Sequence, residues 1–217
     1  MNSGPEQLSA KAARPYQSER RARAASETRA AILAAAMRLF LSRGYGGVTV
    51  ADIAREAGVA VPTVYASASG KSAILAALID EQMRDPAGAA ALSAVGERQN
   101  PRDVVQVTVH GVRVNNERYH DMIQVMIAAG TLDETASDTL AMSDRRVRRA
   151  LARTAQRLRD LHALRPGMSP GKATDVLWFY LGHQAWHVLV ADRQWSWDEA
   201  EEWLADQASA ALLDPGT

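Results

Sequence analysis

The stretch Thr49–Lys71, TVADIAREAGVAVPTVYASASGK, leaves the backbone few options. Thr49 followed three residues later by Asp52 is a Thr-x-x-Asp form of the capping box, which starts a helix. Val50, Ile53, Ala54 and Ala57 then share one apolar face, while Asp52, Arg55 and Glu56 face outward. Gly58 supplies the positive φ that a tight helix exit needs, and Val59 is placed to plug the core from the turn. Pro62 is tolerated only in the first turn of a second helix, where its missing N–H is no loss. That helix carries Thr63, Val64 and Tyr65, and Gly70 separates it from the next. Two short helices joined by a Gly-containing turn form the unit that lays its second helix in the major groove of DNA.

The flanking segments are also helical in pattern. Ser26–Arg43 has an apolar stripe of Ile32, Leu33, Ala36, Met37, Leu39 and Phe40, with Ser26 as N-cap, Glu27 in the first turn and Gly44 closing the helix. Residues 1–25, rich in Ala, Arg, Ser, Gln and Pro, are expected to be a flexible or loosely helical arm carrying Arg14, Arg20, Arg21 and Arg23. Lys71–Arg84 repeats Ile74, Leu75, Leu78, Ile79 and Met83 at helical spacing until Asp85-Pro86. Ala87–Asn100 fits either a helix with Leu92 and Val95 inward or a linker.

From Pro101 the pattern stays helical. The valines of Pro101–Glu117 favour a strand by propensity, but Pro101 suits a helix start and no hairpin partner follows. Further helices are predicted at Tyr119–Ala129, at about Asp138–Ala163, at Pro170–Asp192 after a Ser169 N-cap, and at Trp197–Leu213 after Ser196. The Asp138–Ala163 helix has seven arginines between Arg145 and Arg159 on its outer face, with an Asp144–Arg148 pair expected. The fold class is therefore all-α: an N-terminal three-helix helix-turn-helix domain and a C-terminal helical bundle.

Composition narrows the function. The 217 residues hold 47% hydrophobic side chains and no Cys, which excludes a disulfide framework and thiol chemistry. The polar N-terminus lacks the apolar core of a secretory signal. Ala173–Ala191 approaches bilayer-spanning length, but Asp175, His183, Gln184 and His187 within it point to a buried helix of a soluble protein instead. Net charge is zero, yet residues 1–84 hold 11 Lys/Arg against 7 Asp/Glu, leaving the remainder at −4. A basic N-terminal third suits a polyanionic partner.

The ordered block Gly44-Tyr45, Thr49-Val50-x-x-Ile53-Ala54-x-x-Ala57-Gly58-Val59, Pro62-Thr63-Val64-Tyr65 and Gly70-Lys71-x-x-Ile74-Leu75 resembles the DNA-binding domain of the TetR family of bacterial transcriptional regulators. The resemblance covers roughly residues 26–84. It implies 26–84 as the DNA-binding domain and 85–217 as a ligand-binding and dimerisation domain, while residues 1–25 fit either an arm that reaches the DNA or a solvated tail. It further implies a bacterial cytoplasmic protein, a palindromic double-stranded operator, a homodimer through the two C-terminal helices, a small-molecule effector, no membrane partner and no cofactor. By similarity, Thr49 and Lys71 meet phosphates, and Val61, Pro62, Thr63, Tyr65, Ala66 and Ser67 line the groove. The family often carries an aromatic or His pair two and three positions after the Tyr; here Ser67 and Ala68 stand there. The second helix also lacks Arg, Asn, Gln and Lys, so no bidentate reading of guanine or adenine can come from it. Specificity is then expected from thymine methyls, operator shape and the Arg-rich arm.

Candidate effector contacts are Met122, Met126, Trp178, Tyr180, His183 and Trp186, whose types suit an adaptable apolar site as well as an ordinary core. His183 and His187 stand at i, i+4, a spacing able to hold a metal, but no third ligand is placed by sequence and none is expected. No Ser-His-Asp order, phosphate loop or paired carboxylate supports an enzyme. Two other readings stay open: a ligand-binding helical domain with an incidental helix-turn-helix, and a nonspecific DNA binder.

Overall fold

The computed structural model describes residues 6–83 and 94–215, with side chains from 18 to 81 and from 94 to 215. Among them every regular element is helical, and extended pairing is limited to an isolated antiparallel bridge between Leu164 and Leu213. No described helix is long and apolar enough to cross a membrane. The chain divides into two compact units between Leu78 and Ile79.

In the first unit, α1 (Glu6–Arg43) packs on α2 (Val50–Glu56) and α3 (Val61–Ala68), and α4 begins at Lys71 and runs to Met83. Ile32, Leu33, Leu39 and Phe40 from α1, Ile53 from α2, Val64 from α3, and Ile74 and Leu75 from α4 are all buried. Helix α1 starts well before the expected Ser26, which lies exposed inside it and caps nothing. The reason is composition: between Pro15 and Ser26 the chain is mostly Ala, Arg, Glu and Gln, good helix formers that carry the helix N-terminally past Ser26. The side chains of Arg14 and Met83, and residues Asp85, Pro86 and Leu92, lie outside the described set.

The second unit takes in the end of α4 from Ile79, and its next described element is a 3₁₀ turn, Ala94–Glu97, which buries Val95. Helix α5 (Pro101–Gly130) follows, its Asn100 side chain accepting the Arg102 amide at 2.8 Å. The two helices expected on either side of residue 118 are one, kinked where Tyr119 takes φ −119°, ψ 16°. Helix α6 (Glu134–Asp160) begins four residues before the expected Asp138, because Asp133 accepts the Ala136 amide at 3.0 Å as N-cap. Its Arg148 pairs with Asp175 rather than with Asp144. Helix α6 lies between α5 and α7 (Pro170–Leu181), and α9 (Trp197–Leu212) packs on α5 and α7. Ser196 and Glu199 cap α9 reciprocally. Inside, the Thr108 hydroxyl donates to the Val104 carbonyl at 2.8 Å and accepts from the Thr154 hydroxyl at 2.9 Å, which links α5 to α6.

The long helix expected over Pro170–Asp192 is broken. Gly182 is extended (ψ 153°), a one-turn α8 spans His183–Trp186, and a π-helical turn covers His187–Asp192. A Cβ at Gly182 would stand 2.7 Å from the Trp178 carbonyl, so the backbone approaches here as only glycine permits. The break frees the Leu181 carbonyl, and the fully buried Trp186 indole N–H donates to it at 3.2 Å. A buried indole and an orphaned carbonyl thus satisfy each other.

Candidate nucleic-acid interface and aromatic cluster

Helix α2 is held at its start by a reciprocal cap. The Asp52 amide donates to the Thr49 hydroxyl at 3.1 Å, and the Thr49 amide donates to the Asp52 carboxylate at 3.0 Å. The Thr49 hydroxyl also donates to that carboxylate, and Arg55 pairs with it. These hydrogen bonds, with Arg55 beside them, bring the Asp52 pKa down to about 2. Gly58 (φ +68°) turns the chain, and the Val59 amide donates back to the Ala54 carbonyl at 2.9 Å. Helix α3 starts at Val61 with Pro62 in its first turn and Ala60 as N-cap, and ends at Ser69 in the left-handed region (φ 55°).

Two long side chains hold α3 and α4 in place. Arg29 of α1 donates to the Ser67 carbonyl at 2.6 Å, fixing the end of α3. Lys71 donates to the carbonyls of Tyr45 and Val48, at 3.0 and 3.1 Å, and sits 4.1 Å from the centre of the Tyr45 ring. Tyr45 packs in turn on Phe40, with ring centres 5.2 Å apart. Sequence reasoning passed over Arg29 and Tyr45 as anchors. Their roles rest on contacts across 38 and 26 residues, which no local pattern signals.

All eight residues singled out for DNA lie in this first unit. Val61, Pro62, Tyr65 and Ala66 are exposed on α3, with Tyr65 53% accessible. Thr63 and Ser67 are half-buried beside them, Thr49 is exposed at the α2 cap, and Lys71 is half-buried at the start of α4. Ala68 is buried, so the position where the family often has a ring serves here as core. The result is a short, mostly apolar helix face with one exposed phenol, tied at its C-terminal end by Arg29.

In the second unit, the six residues singled out for an effector separate. Met122 and Met126 are buried on α5, outside the core cluster that holds Trp186, Trp178 and Tyr180. Trp178 meets His183 edge-on at 5.9 Å. Trp186 stacks on Trp197 at 5.7 Å, and Trp197 meets His120 edge-on at 5.9 Å. His120 then stacks on His187 at 5.5 Å. Burial, chiefly, holds the imidazoles of His120 and His183 below their ordinary pKa, and burial raises that of Asp144, 4.0 Å from His183. Trp197 and His120 were not singled out, and His187 was singled out only for its i, i+4 spacing from His183.

These two units, a capped helix-turn-helix and a separate helical domain, have the architecture of a helix-turn-helix transcriptional regulator. Residues 32–78 match the model of the bacterial regulatory proteins of the tetR family. The match is confined to the helix-turn-helix of the first unit, and over most of its length the chain shares the fold of the solved structures named next. It is similar to the SmeT–triclosan complex (23% identity, 87% of this chain and 93% of that one, TM-score 0.69). It also resembles the fatty acid degradation regulator FadR from Bacillus halodurans (15% identity, 84% and 94%, TM-score 0.70). A third likeness is NalD, the secondary repressor of the MexAB-OprM multidrug efflux pump in Pseudomonas aeruginosa (22% identity, 88% and 98%, TM-score 0.65). No curated protein matches by sequence.

Proposed function

We propose that the protein is a homodimeric, effector-released repressor that binds a palindromic operator. The observation that carries this is the α3 face, where Val61, Pro62, Tyr65 and Ala66 stand exposed on a helix anchored at its C-terminal end by Arg29. A rigid, exposed helix of the right unit is what a major groove accepts. Val61, Pro62 and Ala66 offer contacts to thymine methyls, Thr63, Tyr65 and Ser67 offer hydroxyls, and Thr49 and Lys71 flank them at phosphate positions. Dimerisation through α7 and α9 is supported by Phe179 (75% accessible) and Trp203 (41%) on those helices. Two α3 helices in successive grooves, roughly 34–36 Å apart, then read two half-sites. Triclosan accompanies SmeT in the structure named above, and a small-molecule effector is proposed here on the same fold.

Selection of bound duplexes from a random pool, followed by titration against scrambled DNA at fixed salt, tests this reading. A palindromic sequence bound far above the scramble, with the preference lost on changing Thr63 or Tyr65, supports it. Equal weak binding of both duplexes overturns it.

A further inference from the structure

Among the described side chains one polar atom stands apart: Nδ1 of His187 is buried and has no hydrogen-bond partner. Leaving such an atom unpaired costs stability, so its position calls for a reason. His187 opens the π-helical turn His187–Asp192, a backbone irregularity that recurs at functional sites. The ring it stacks on, His120, follows directly on the Tyr119 kink of α5. Two irregular turns, distant in sequence, thus set two imidazoles face to face beside the Trp197–Trp186 stack. The outer edge of this group is open: the His187 side chain is 29% accessible and that of His183 is 21%.

The tautomer of His187 follows from its neighbour. Asp192 Oδ1 lies 3.8 Å from Nε2. A carboxylate on that side favours the proton on Nε2, which leaves Nδ1 with a bare lone pair. The buried atom is therefore an acceptor, and what it lacks is a donor. The His120 ring stacked on His187, with the Trp197 and Trp186 rings beyond it, presents flat π-faces that suit a planar ring.

We propose that His187 Nδ1 and the adjoining imidazole and indole rings bind a planar aromatic ligand of the phenol class, its ring hydroxyl donating to Nδ1. This rests on the effector-responsive reading above and names the chemistry of the effector. Entry requires the half-exposed His120 and His187 side chains to part, a rotamer adjustment common at binding sites. A ring without a donor leaves Nδ1 unpaired in the complex and binds less well.

Calorimetric titration of the full chain with 2-naphthol and with 2-fluoronaphthalene, which keeps the shape but donates nothing, tests this. The wild type is expected to prefer 2-naphthol by about tenfold or more. His187→Asn places an amide near the Nδ1 position and should keep the preference. His187→Gln places its amide near Nε2 and should lose it, as should His187→Phe. The Asn and Gln pair carries the test where the Phe variant fails to fold. An equal preference in the Asn and Gln variants, or no 2-naphthol binding by the wild type, overturns the proposal. The same samples are titrated with the selected operator. Operator binding without 2-naphthol binding overturns this site alone, whereas the expected preference without operator binding supports the site and overturns the regulator reading.

Discussion

The ammonium of Lys71 is bound to the Tyr45 carbonyl at 3.0 Å and lies over the ring of the same residue, 4.1 Å from its centre. One side chain thereby closes the connection between α1 and α2 from the first residue of α4. Lys71→Met removes two charge-assisted hydrogen bonds and a cation–π contact, and is expected to cost about 2 kcal/mol in urea unfolding. If its remaining N–H also meets a phosphate, the slope of log affinity against log salt on the operator falls by about 0.9. An unchanged slope with lowered stability assigns Lys71 to the fold alone.

Tyr65 separates binding from folding. Its ring is more than half accessible and its hydroxyl projects from the anchored α3 face. Tyr65→Phe should leave the unfolding midpoint almost unmoved, within about 0.5 kcal/mol. Operator affinity should drop roughly tenfold through loss of a hydrogen bond to a charged phosphate. Unaltered affinity removes Tyr65 from the proposed interface.

Gly182→Ala tests the break between α7 and α8. The added methyl would meet the Trp178 backbone carbonyl at 2.7 Å, and backbone cannot rotate away as a side chain can. A loss of about 1–3 kcal/mol is expected in chemical denaturation. Near-UV circular dichroism of Trp186 should weaken with it, because the indole hydrogen bond to Leu181 depends on the break.

Stability of the second unit should depend on pH in a definite direction. Burial, then the neighbouring His187, lowers the pKa of His120; burial lowers that of His183. The unfolded chain therefore takes up protons at these positions at a higher pH than the folded one does. Stability should be level above about pH 6.5 and should fall as pH drops from there towards the folded values. Urea midpoints at pH 7.5, 6.5 and 5.5 read this slope, and His120→Phe with His183→Phe should flatten it. A slope of the opposite sign contradicts the burial described.

The N-terminal extension of α1 exposes Arg20, Arg21 and Arg23. Removal of residues 1–24 should weaken operator binding and lower its salt dependence, since each phosphate that goes unneutralised reduces the slope by about 0.9. The core residues Ile32 to Phe40 are untouched by this cut, so the thermal midpoint should hold. Unchanged affinity excludes the extension from DNA binding.

What the sequence alone determined is local. The Thr49–Asp52 box, the Gly58 turn, Pro62 in the first turn of α3 and the Ser196 cap each act within three or four residues, so their signals lie side by side in the chain. Even the valine-rich Pro101–Glu117 was legible as helix, because its start signal outweighed its β propensity. Other features were decided only by tertiary packing. Pro170–Asp192 looked continuous, yet Gly182 breaks it, because the break lets Trp186 reach the Leu181 carbonyl. Arg148 had Asp144 one turn away and took Asp175 on α7. The His120–His187 stack joins two backbone irregularities that no spacing rule connects. Caps and turns are set by hydrogen bonds that each segment makes to itself; partners for rings, guanidiniums and orphaned carbonyls are set by which helices come to lie together.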